Sequence, residues 1–204
     1  VLVDLGNVDI FKALAQQANL SQVDESRLFE MLQRKAVPEI EQLLAELNID
    51  NDVREMLAVL AELNGDVAVL KTAREKLAKA DANVHAAIDY LEKTAALIMP
   101  RFENVGFNFD LAELHGYHHQ TGVVFAAFVP GTGEAIARGG RYDDIGQIFG
   151  RARAATGFST DLKLLDHLTT RQFEKANRVF APADADDALK NKVAELRSLG
   201  VCVI

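Results

Sequence analysis

Apolar residues in the first hundred positions recur every three or four residues, the spacing of one face of an amphipathic helix. Residues that commonly start or end helices fall between these repeats, namely Ser21 with Asp24, Pro38, Asp50, Asn64–Gly65 and Asp81. The apolar stretch Val1–Leu5 comes before them and predicts a buried strand that ends at Gly6 and Asn7. We therefore predict one strand followed by five or six short helices within residues 8–99.

After Pro100 the apolar pattern changes from helical spacing to the alternation of a half-buried strand. Alternation runs through Val105–Asp110, and Gly122–Val129 is rich in β-branched and aromatic residues. A turn then leads into a strand over Glu134–Arg138. These segments predict an antiparallel meander, with a further strand at Gly157–Ser159.

The last part of the chain predicts a helix followed by a strand–helix–strand tail. Thr160 or Asp161 caps the first helix, the strands lie at Arg178–Ala181 and Val201–Ile204, and the second helix lies between them. A helical segment followed by an antiparallel sheet is typical of α+β architecture, which is the fold class we predict.

The composition is that of a globular protein with one substantial core. At 204 residues with 49% apolar residues, the chain has the size of one domain with an appendage. No apolar run approaches the roughly 18 residues that a membrane helix needs, so we predict no membrane association. Cys202 is the only cysteine, which excludes an intramolecular disulfide and a cysteine-based zinc site. These features predict a cytoplasmic protein.

The net charge of −8 is concentrated in the helical half. Residues 1–105 carry 11 lysines and arginines against 18 acidic residues, whereas residues 106–204 carry 11 against 12. Binding to nucleic acid depends on several cationic contacts with phosphates, so the helical half is unsuited to tRNA or DNA. We therefore expect no tRNA partner.

Glycine, arginine, tyrosine and aspartate are concentrated between residues 135 and 159. Gly139 and Gly140 allow positive φ angles and the close approach of a ligand. Four arginines lie within sixteen residues, namely Arg138, Arg141, Arg151 and Arg153. Such a segment suits an anionic or zwitterionic ligand, and the alternative is a β-bulge with solvated arginines.

Three histidines, His115, His118 and His119, lie close together in sequence just before Gly122. Neighbouring residues of a strand point to opposite faces, so His118 and His119 are poorly placed to bind one ion. No carboxylate stands at a ligand spacing from them. We therefore predict no metal site and expect these histidines to hydrogen-bond a small polar ligand or to line a polar cleft.

The sequence shows no persuasive catalytic machinery. Ser159 and Thr156 lack a nucleophile-elbow motif, and Cys202 lies in an apolar tail where a thiolate is disfavoured. Asp143 and Asp144 are adjacent, and ion pairs with nearby arginines explain them as well as a shared proton does. We therefore predict no catalytic residue and no cofactor.

Three spaced motifs resemble those of the histidyl-tRNA synthetase family. Ala137–Asp143 is similar to its Gly-Gly-Arg-Tyr-Asp strand, and Ala155–Ser159, opening a helix, is similar to motif 3 of class II synthetases. Gly116–Phe125 occupies the place of the family's Arg-Gly-Leu-Asp-Tyr-Tyr signature. The likeness is strong over residues 100–165 and weak over the helical part.

The resemblance implies a class II aminoacyl-tRNA synthetase-like antiparallel sheet with flanking helices and a helical insert. It implies a synthetase-like domain over residues 1–181, with the insert at 8–99 and the sheet core at 100–181. A helix–strand tail over residues 182–204 would follow. Motifs 1 and 2 of that family would lie before Val1.

Two departures from the synthetase pattern imply a loss of catalysis. His115 stands where the signature begins with an arginine that assists amino-acid activation, and Leu164 stands where motif 3 ends with an arginine that holds the ATP γ-phosphate. Both arginines stabilise charge during adenylate formation. The chain therefore resembles more closely a paralogous family, the regulatory subunits of ATP phosphoribosyltransferase in their short bacterial form.

That second resemblance implies a non-catalytic subunit of an enzyme of histidine biosynthesis. Such subunits assemble with the short-form catalytic subunit into a hetero-oligomer, raise its activity and take part in feedback inhibition by histidine. The histidine-like pocket would be formed by Tyr117, His118, His119, Thr121, Gly139, Gly140, Arg141 and Tyr142. Two other interpretations stay open, a divergent histidyl-tRNA synthetase fragment and a free histidine-sensing module.

Overall fold

The computed structural model describes residues 1–115, 119–171, 178–183 and 186–204. The chain forms two compact units, Val1–Leu165 and Asp166–Ile204. The division into a synthetase-like domain over residues 1–181 and a tail over 182–204 stays a prediction. The compact units themselves part between Leu165 and Asp166.

Six α-helices follow the first strand, as the apolar pattern predicts. They are α1 (Val8–Gln17), α2 (Gln22–Gln33), α3 (Val37–Glu46), α4 (Asn51–Val59), α5 (Ala68–Lys76) and α6 (Ala82–Ile98). Asn7 Oδ1 caps α1 by accepting a hydrogen bond from Asp9 N, and Ser21, Asp50 and Asp81 cap α2, α4 and α6 in the same way. Within the described ranges, no helix is long and apolar enough to cross a membrane.

The apolar stripes of these helices meet in one hydrophobic core. Phe11 and Leu14 of α1 are fully buried in it, beside residues of every other helix in this set. Val23 is also apolar but is 68% exposed. It lies in the first turn of α2, whereas Leu28 and Leu32 occupy the buried side of that helix.

A six-stranded sheet forms the other layer of the first unit. Its strands are β1 (Leu2–Asn7), β2 (Asn64–Gly65), β3 (Gly106–Asp110), β4 (Val123–Phe128), β5 (Ala137–Arg141) and β6 (Thr156–Thr160), in the spatial order β2-β3-β1-β4-β5-β6. The pair β1·β3 is parallel, whereas all other neighbouring pairs are antiparallel. The α+β class is confirmed, but the sheet is mixed and not wholly antiparallel. The helices between β1 and β3 form a crossover long enough for parallel pairing.

Several strand boundaries differ from the predicted ones. β1 continues through Gly6 and Asn7, which pair with β4. Asn64–Gly65, predicted only as the end of a helix, also pairs with β3 as a two-residue strand. β5 begins at Ala137 and not at Glu134, so that it includes both glycines of the motif.

One side of the sheet packs against α1 and α6, and we call it the helix face. Asn7 of β1 lies on this face, because its Nδ2 donates to the Ala87 carbonyl of α6 at 2.9 Å. Arg141 of β5 lies there too, because its Nη1 donates to the Tyr90 hydroxyl of α6 at 2.6 Å. Residues two positions along a strand share a face, so Gly139 also belongs to the helix face.

The opposite side lies under residues of the connection between β3 and β4, and we call it the loop face. A Cβ added to Gly6 would lie 3.0 Å from the Glu113 Cβ. One added to Gly140 would lie 3.2 Å from the Gln120 Cδ. These two glycines therefore leave the space into which the β3–β4 connection packs.

The second unit is a small strand–helix–strand arrangement, as predicted. Strand β7 (Arg178–Val179) pairs in parallel with β8 (Cys202–Val203), and α8 (Asp187–Ser198) lies between them in sequence. Arg197 Nη2 at the end of α8 donates to the Val203 carbonyl at 3.1 Å. After β6 the chain forms α7 (Leu162–Leu168), which begins after Asp161.

Candidate ligand-binding site

The Gly-Gly-Arg segment is a regular part of strand β5, between β4 and β6. Neither Gly139 nor Gly140 has a positive φ, and both pair one-to-one with residues of β4 and β6, so the alternative of a β-bulge is wrong. The glycines are needed for space. A Cβ on Gly139 would collide with the Gly157 carbonyl oxygen and lie 2.7 Å from the Phe158 Cβ. The neighbouring strands thus approach β5 more closely than any side chain there would permit.

The strand alternation separates Arg141 and Asp143 from Tyr142. Arg141 Nη2 donates to Asp143 Oδ2 at 2.7 Å on the helix face, and the guanidinium lies 5.5 Å from the centre of the Tyr90 ring. Asp143 Oδ1 accepts from Ala155 N at 3.2 Å. The Arg141 guanidinium holds the pKa of Asp143 below its ordinary value. This pair joins β5 to α6 and to the residues that precede β6.

Tyr142 points to the loop face, where its hydroxyl accepts a hydrogen bond from Gln120 Nε2 at 2.9 Å. Gln120 is only 4% exposed, and its Oε1 has no hydrogen-bond partner among the described residues. We call Gln120, Gly140 and Tyr142 the loop-face cluster. A buried acceptor without a partner costs on the order of 1–3 kcal/mol, so a ligand that donates to this oxygen would gain affinity.

Acidic side chains also lie on the loop face, over β1 and β3. Asp110 is held by Lys35 at 2.6 Å, and Glu113 Oε1 accepts from His115 N at 3.0 Å. Burial raises the pKa of Asp4 and of Glu113 above their ordinary values, with the neighbouring Asp110 adding repulsion. Asp4 Oδ1 is buried without a partner among the described residues. The loop face therefore favours ligands that carry N–H donors or positive charge.

Sequence reasoning missed Gln120, Asp4 and Glu113 as members of this surface. A signal for two of them was present, because Asp4 interrupts the apolar stretch Val1–Leu5 and Glu113 interrupts the apolar stretch Leu111–Leu114. A charged residue inside a buried apolar run needs a reason in structure or function. Gln120 lay within the quoted motif, and only its burial singles it out.

The structure divides the predicted pocket residues between the two faces. Gly140 and Tyr142 belong to the loop-face cluster. His119 is exposed, and Tyr117 and His118 lie outside the described residues. The remaining three are on the helix face: Gly139, Arg141 and Thr121, whose Oγ1 accepts from Asp143 N at 3.0 Å. The sheet therefore separates Gly140 and Tyr142 from Gly139, Arg141 and Thr121.

The predicted concentration of arginines does not form one cationic surface either. Arg138, Arg151 and Arg153 are exposed, and in the described part of the chain only Arg141 of the four has a side-chain partner. For metals, no group of three or more histidine, cysteine or acidic side chains among the described residues has ligand geometry. His115 is exposed, and Leu164 on α7 is half-buried.

The fold of this chain is shared with solved structures. An ATP phosphoribosyltransferase regulatory subunit/histidyl-tRNA synthetase from Bacillus halodurans matches with a TM-score of 0.71 at 23% identity, over 99% of this chain and 52% of that one. The ATP phosphoribosyl transferase (HisG:HisZ) complex from Thermotoga maritima matches with a TM-score of 0.56 at 17% identity, over 78% and 52%. The fold defines a class II synthetase-like protein.

The sequence profile described as histidyl-tRNA synthetase matches residues 1–165, and the chain belongs to this family. Among curated relatives, the ATP phosphoribosyltransferase regulatory subunit of Thioalkalivibrio sulfidiphilus is 54% identical over 205 aligned residues, which cover 100% of this chain and 52% of that protein. The chain spans about half the length of the curated relatives it matches.

Proposed function

We propose that the chain acts within a non-catalytic regulatory subunit of ATP phosphoribosyltransferase in histidine biosynthesis. The observation that carries the proposal is the 54% identity, along the whole chain, to a protein of that name. The likeness to a chain of the Thermotoga maritima complex is consistent with it at the level of the fold. In this role the protein activates a short-form catalytic subunit and takes part in feedback inhibition by histidine.

The proposal that this chain is not catalytic rests on His115 and Leu164. They replace two arginines that, in the synthetases it resembles, stabilise charge as the adenylate forms. Losing one such preorganised donor costs on the order of a hundredfold in rate, so losing two leaves little activity. Leu164 is an apolar residue on α7 and cannot compensate.

For histidine, we propose a pocket on the loop face, with Tyr142 and Gln120 as its polar contacts. The imidazole and ammonium groups of histidine carry N–H donors, which suit the Gln120 Oε1 and the acidic side chains on the same face. Tyr117, His118 and His119 complete the proposed pocket from the β3–β4 connection. Thr121, Gly139 and Arg141 support it from the helix face by fixing β4, β5 and β6 together.

The partner in this proposal is the short-form catalytic subunit, in a hetero-oligomer and without tRNA. The helical half carries an excess of acidic residues, 18 against 11 lysines and arginines over residues 1–105. Such a surface repels phosphate backbones and is available for a protein partner. We place the complex in the cytoplasm, which suits a chain with a single cysteine.

The proposal is tested by mixing the full-length protein with a short-form catalytic subunit and measuring ATP phosphoribosyltransferase activity. We expect the two proteins to form a complex and the activity to rise. Absence of both a complex and activation would exclude the proposed role. Histidine binding without any partner would instead favour a free sensing module.

A divergent histidyl-tRNA synthetase is the second candidate, because the family profile over residues 1–165 carries that description. This candidate requires amino-acid activation despite His115 and Leu164. Histidine-dependent exchange of pyrophosphate into ATP measures that reaction directly. We expect no exchange above the level without histidine.

A further inference from the structure

A polar cleft of about 500 Å³ lies between α1 and α6 on the helix face, away from the loop-face cluster. Its floor is made of small buried side chains, Ala13 of α1 and Ala87 of α6. Alanines at this position leave depth between the two helices that larger side chains would fill. The hydrogen bond from Asn7 Nδ2 to the Ala87 carbonyl closes the bottom at the end of β1.

Both cationic and anionic side chains line the cleft. Asp9 and Lys12 come from α1, and Arg141 and Asp143 come from the end of β5. The Lys12 ammonium donates to the Gln120 carbonyl at 2.7 Å, which holds it at the β4 side of the cleft. Two cations and two carboxylates make the cleft electrically balanced.

Asp9 and Arg141 face each other across Gly122. A Cβ added to Gly122 would lie 3.8 Å from Asp9 Oδ2 and 3.7 Å from Arg141 Cδ. The absence of a side chain there keeps the space between the carboxylate and the arginine stem open. A carboxylate and a cationic side chain on two sides of an open space match the two charged groups of a zwitterion.

Neutral hydrogen-bonding groups complete the rim. The side-chain amides of Gln16 and Asn83 border the cleft at its outer end, and both residues are exposed. The Tyr90 hydroxyl accepts from Arg141 and lies on the same wall. The polar side chain of a bound amino acid would form hydrogen bonds with these groups.

We propose that this cleft binds a free α-amino acid as its zwitterion. The ammonium group pairs with Asp9, the carboxylate with Lys12 and Arg141, and the side chain extends over the alanine floor towards Asn83. The volume falls in the range of small-molecule sites, roughly 300–1,000 Å³. A nucleotide or polyphosphate is disfavoured, because such ligands need an excess of cations that this balanced cleft does not supply.

The test uses the isotope-labelled full chain, titrated with each of the twenty proteinogenic α-amino acids and followed by NMR chemical shifts. We expect at least one of them to shift the amides of Asp9, Lys12 and Asn83 in a saturable manner. Asp9→Asn is expected to weaken that binding about tenfold, because it removes one charge-assisted contact. Asn83→Ala changes an exposed residue and is expected to weaken binding of the same amino acid several-fold.

Tyr142→Phe is the matched control, because Tyr142 lies on the opposite face of the sheet and its replacement should leave cleft binding unchanged. The inference is overturned if no amino acid shifts the cleft amides, or if the affinity is unaltered in both Asp9→Asn and Asn83→Ala. Histidine shifts confined to the loop face and abolished by Tyr142→Phe, with no amino acid shifting the cleft amides, would support the proposed pocket there and overturn the cleft. The two proposals therefore fail separately.

Discussion

Three consecutive residues of the motif, Arg141, Tyr142 and Asp143, perform different tasks because a strand alternates its side chains. Arg141 and Asp143 are joined to each other and to Tyr90 and Ala155, so they hold the framework together. Tyr142 alone of the three reaches the loop face. On the loop face, the motif therefore supplies one candidate ligand contact, Tyr142.

Replacing Tyr142 with phenylalanine removes the hydroxyl that accepts from Gln120. We expect the free energy of unfolding to fall by about 1 kcal/mol, since Gln120 is buried and loses a partner. Histidine inhibition of the reconstituted enzyme should weaken more than assembly does. Denaturant unfolding and a histidine titration of activity measure the two effects. Equal loss of inhibition and assembly would show that Tyr142 is only structural.

Gly139 and Gly157 lie opposite each other on β5 and β6 and give a matched pair of alanine substitutions. A Cβ on Gly139 would collide with the Gly157 carbonyl, whereas a Cβ on Gly157 meets nothing nearer than the Tyr142 ring at 3.8 Å. We expect Gly139→Ala to lower the free energy of unfolding by about 1–3 kcal/mol. Gly157→Ala should change it by about 0.5 kcal/mol or less. Similar effects of both would contradict the close packing of β5.

Among the elements, the helices and the antiparallel pairing of β4, β5 and β6 could be predicted from sequence, whereas the position of β1 between β3 and β4 could not. The periodic apolar positions of α1, α4 and α6 report burial of one helix face, and nearly all of them are buried. The parallel pairing of β1 with β3 joins segments separated by six helices, and no local pattern records it. The two faces of β5 likewise depend on register with β4 and β6, which only the folded sheet fixes.

Glu113, in the connection between β3 and β4, makes the free energy of unfolding depend on pH. Burial raises the pKa of Glu113 above its ordinary value of 4.5, so the folded state holds the proton at a pH where the unfolded chain has lost it. The stability contributed by this proton is therefore present at low pH and lost as pH rises through the folded-state pKa. Asp4 contributes with the same sign.

Glu113→Gln removes the cost of burying this charge while keeping an oxygen that accepts from His115 N. We expect the variant to be more stable than the unmodified protein at neutral pH, with the difference shrinking as pH falls towards 4.5. Urea unfolding at several pH values measures the difference. The exposed Glu134→Gln is the control and should alter stability little. A difference that grows on acidification would show that Glu113 is stabilised as a carboxylate.

For the whole molecule, the sequence identifies the protein family more readily than it identifies the residues of the candidate binding site. Spaced motifs placed the chain near histidyl-tRNA synthetases, and the profile match over residues 1–165 confirms the family. The site was harder to predict, because Gln120, Asp4 and Glu113 are distant in sequence, and only the folded sheet places them on the same face. The polar cleft on the helix face likewise combines α1, α6 and β5.

We propose that this family member regulates an ATP phosphoribosyltransferase and does not itself catalyse amino-acid activation. One preparation of the full-length protein, assayed twice, tests it most directly: for activation of a short-form ATP phosphoribosyltransferase under a histidine titration, and for histidine-dependent pyrophosphate exchange. We expect the phosphoribosyltransferase activity to rise and histidine to reverse that rise. We expect no histidine-dependent pyrophosphate exchange. Exchange without activation would contradict the proposal.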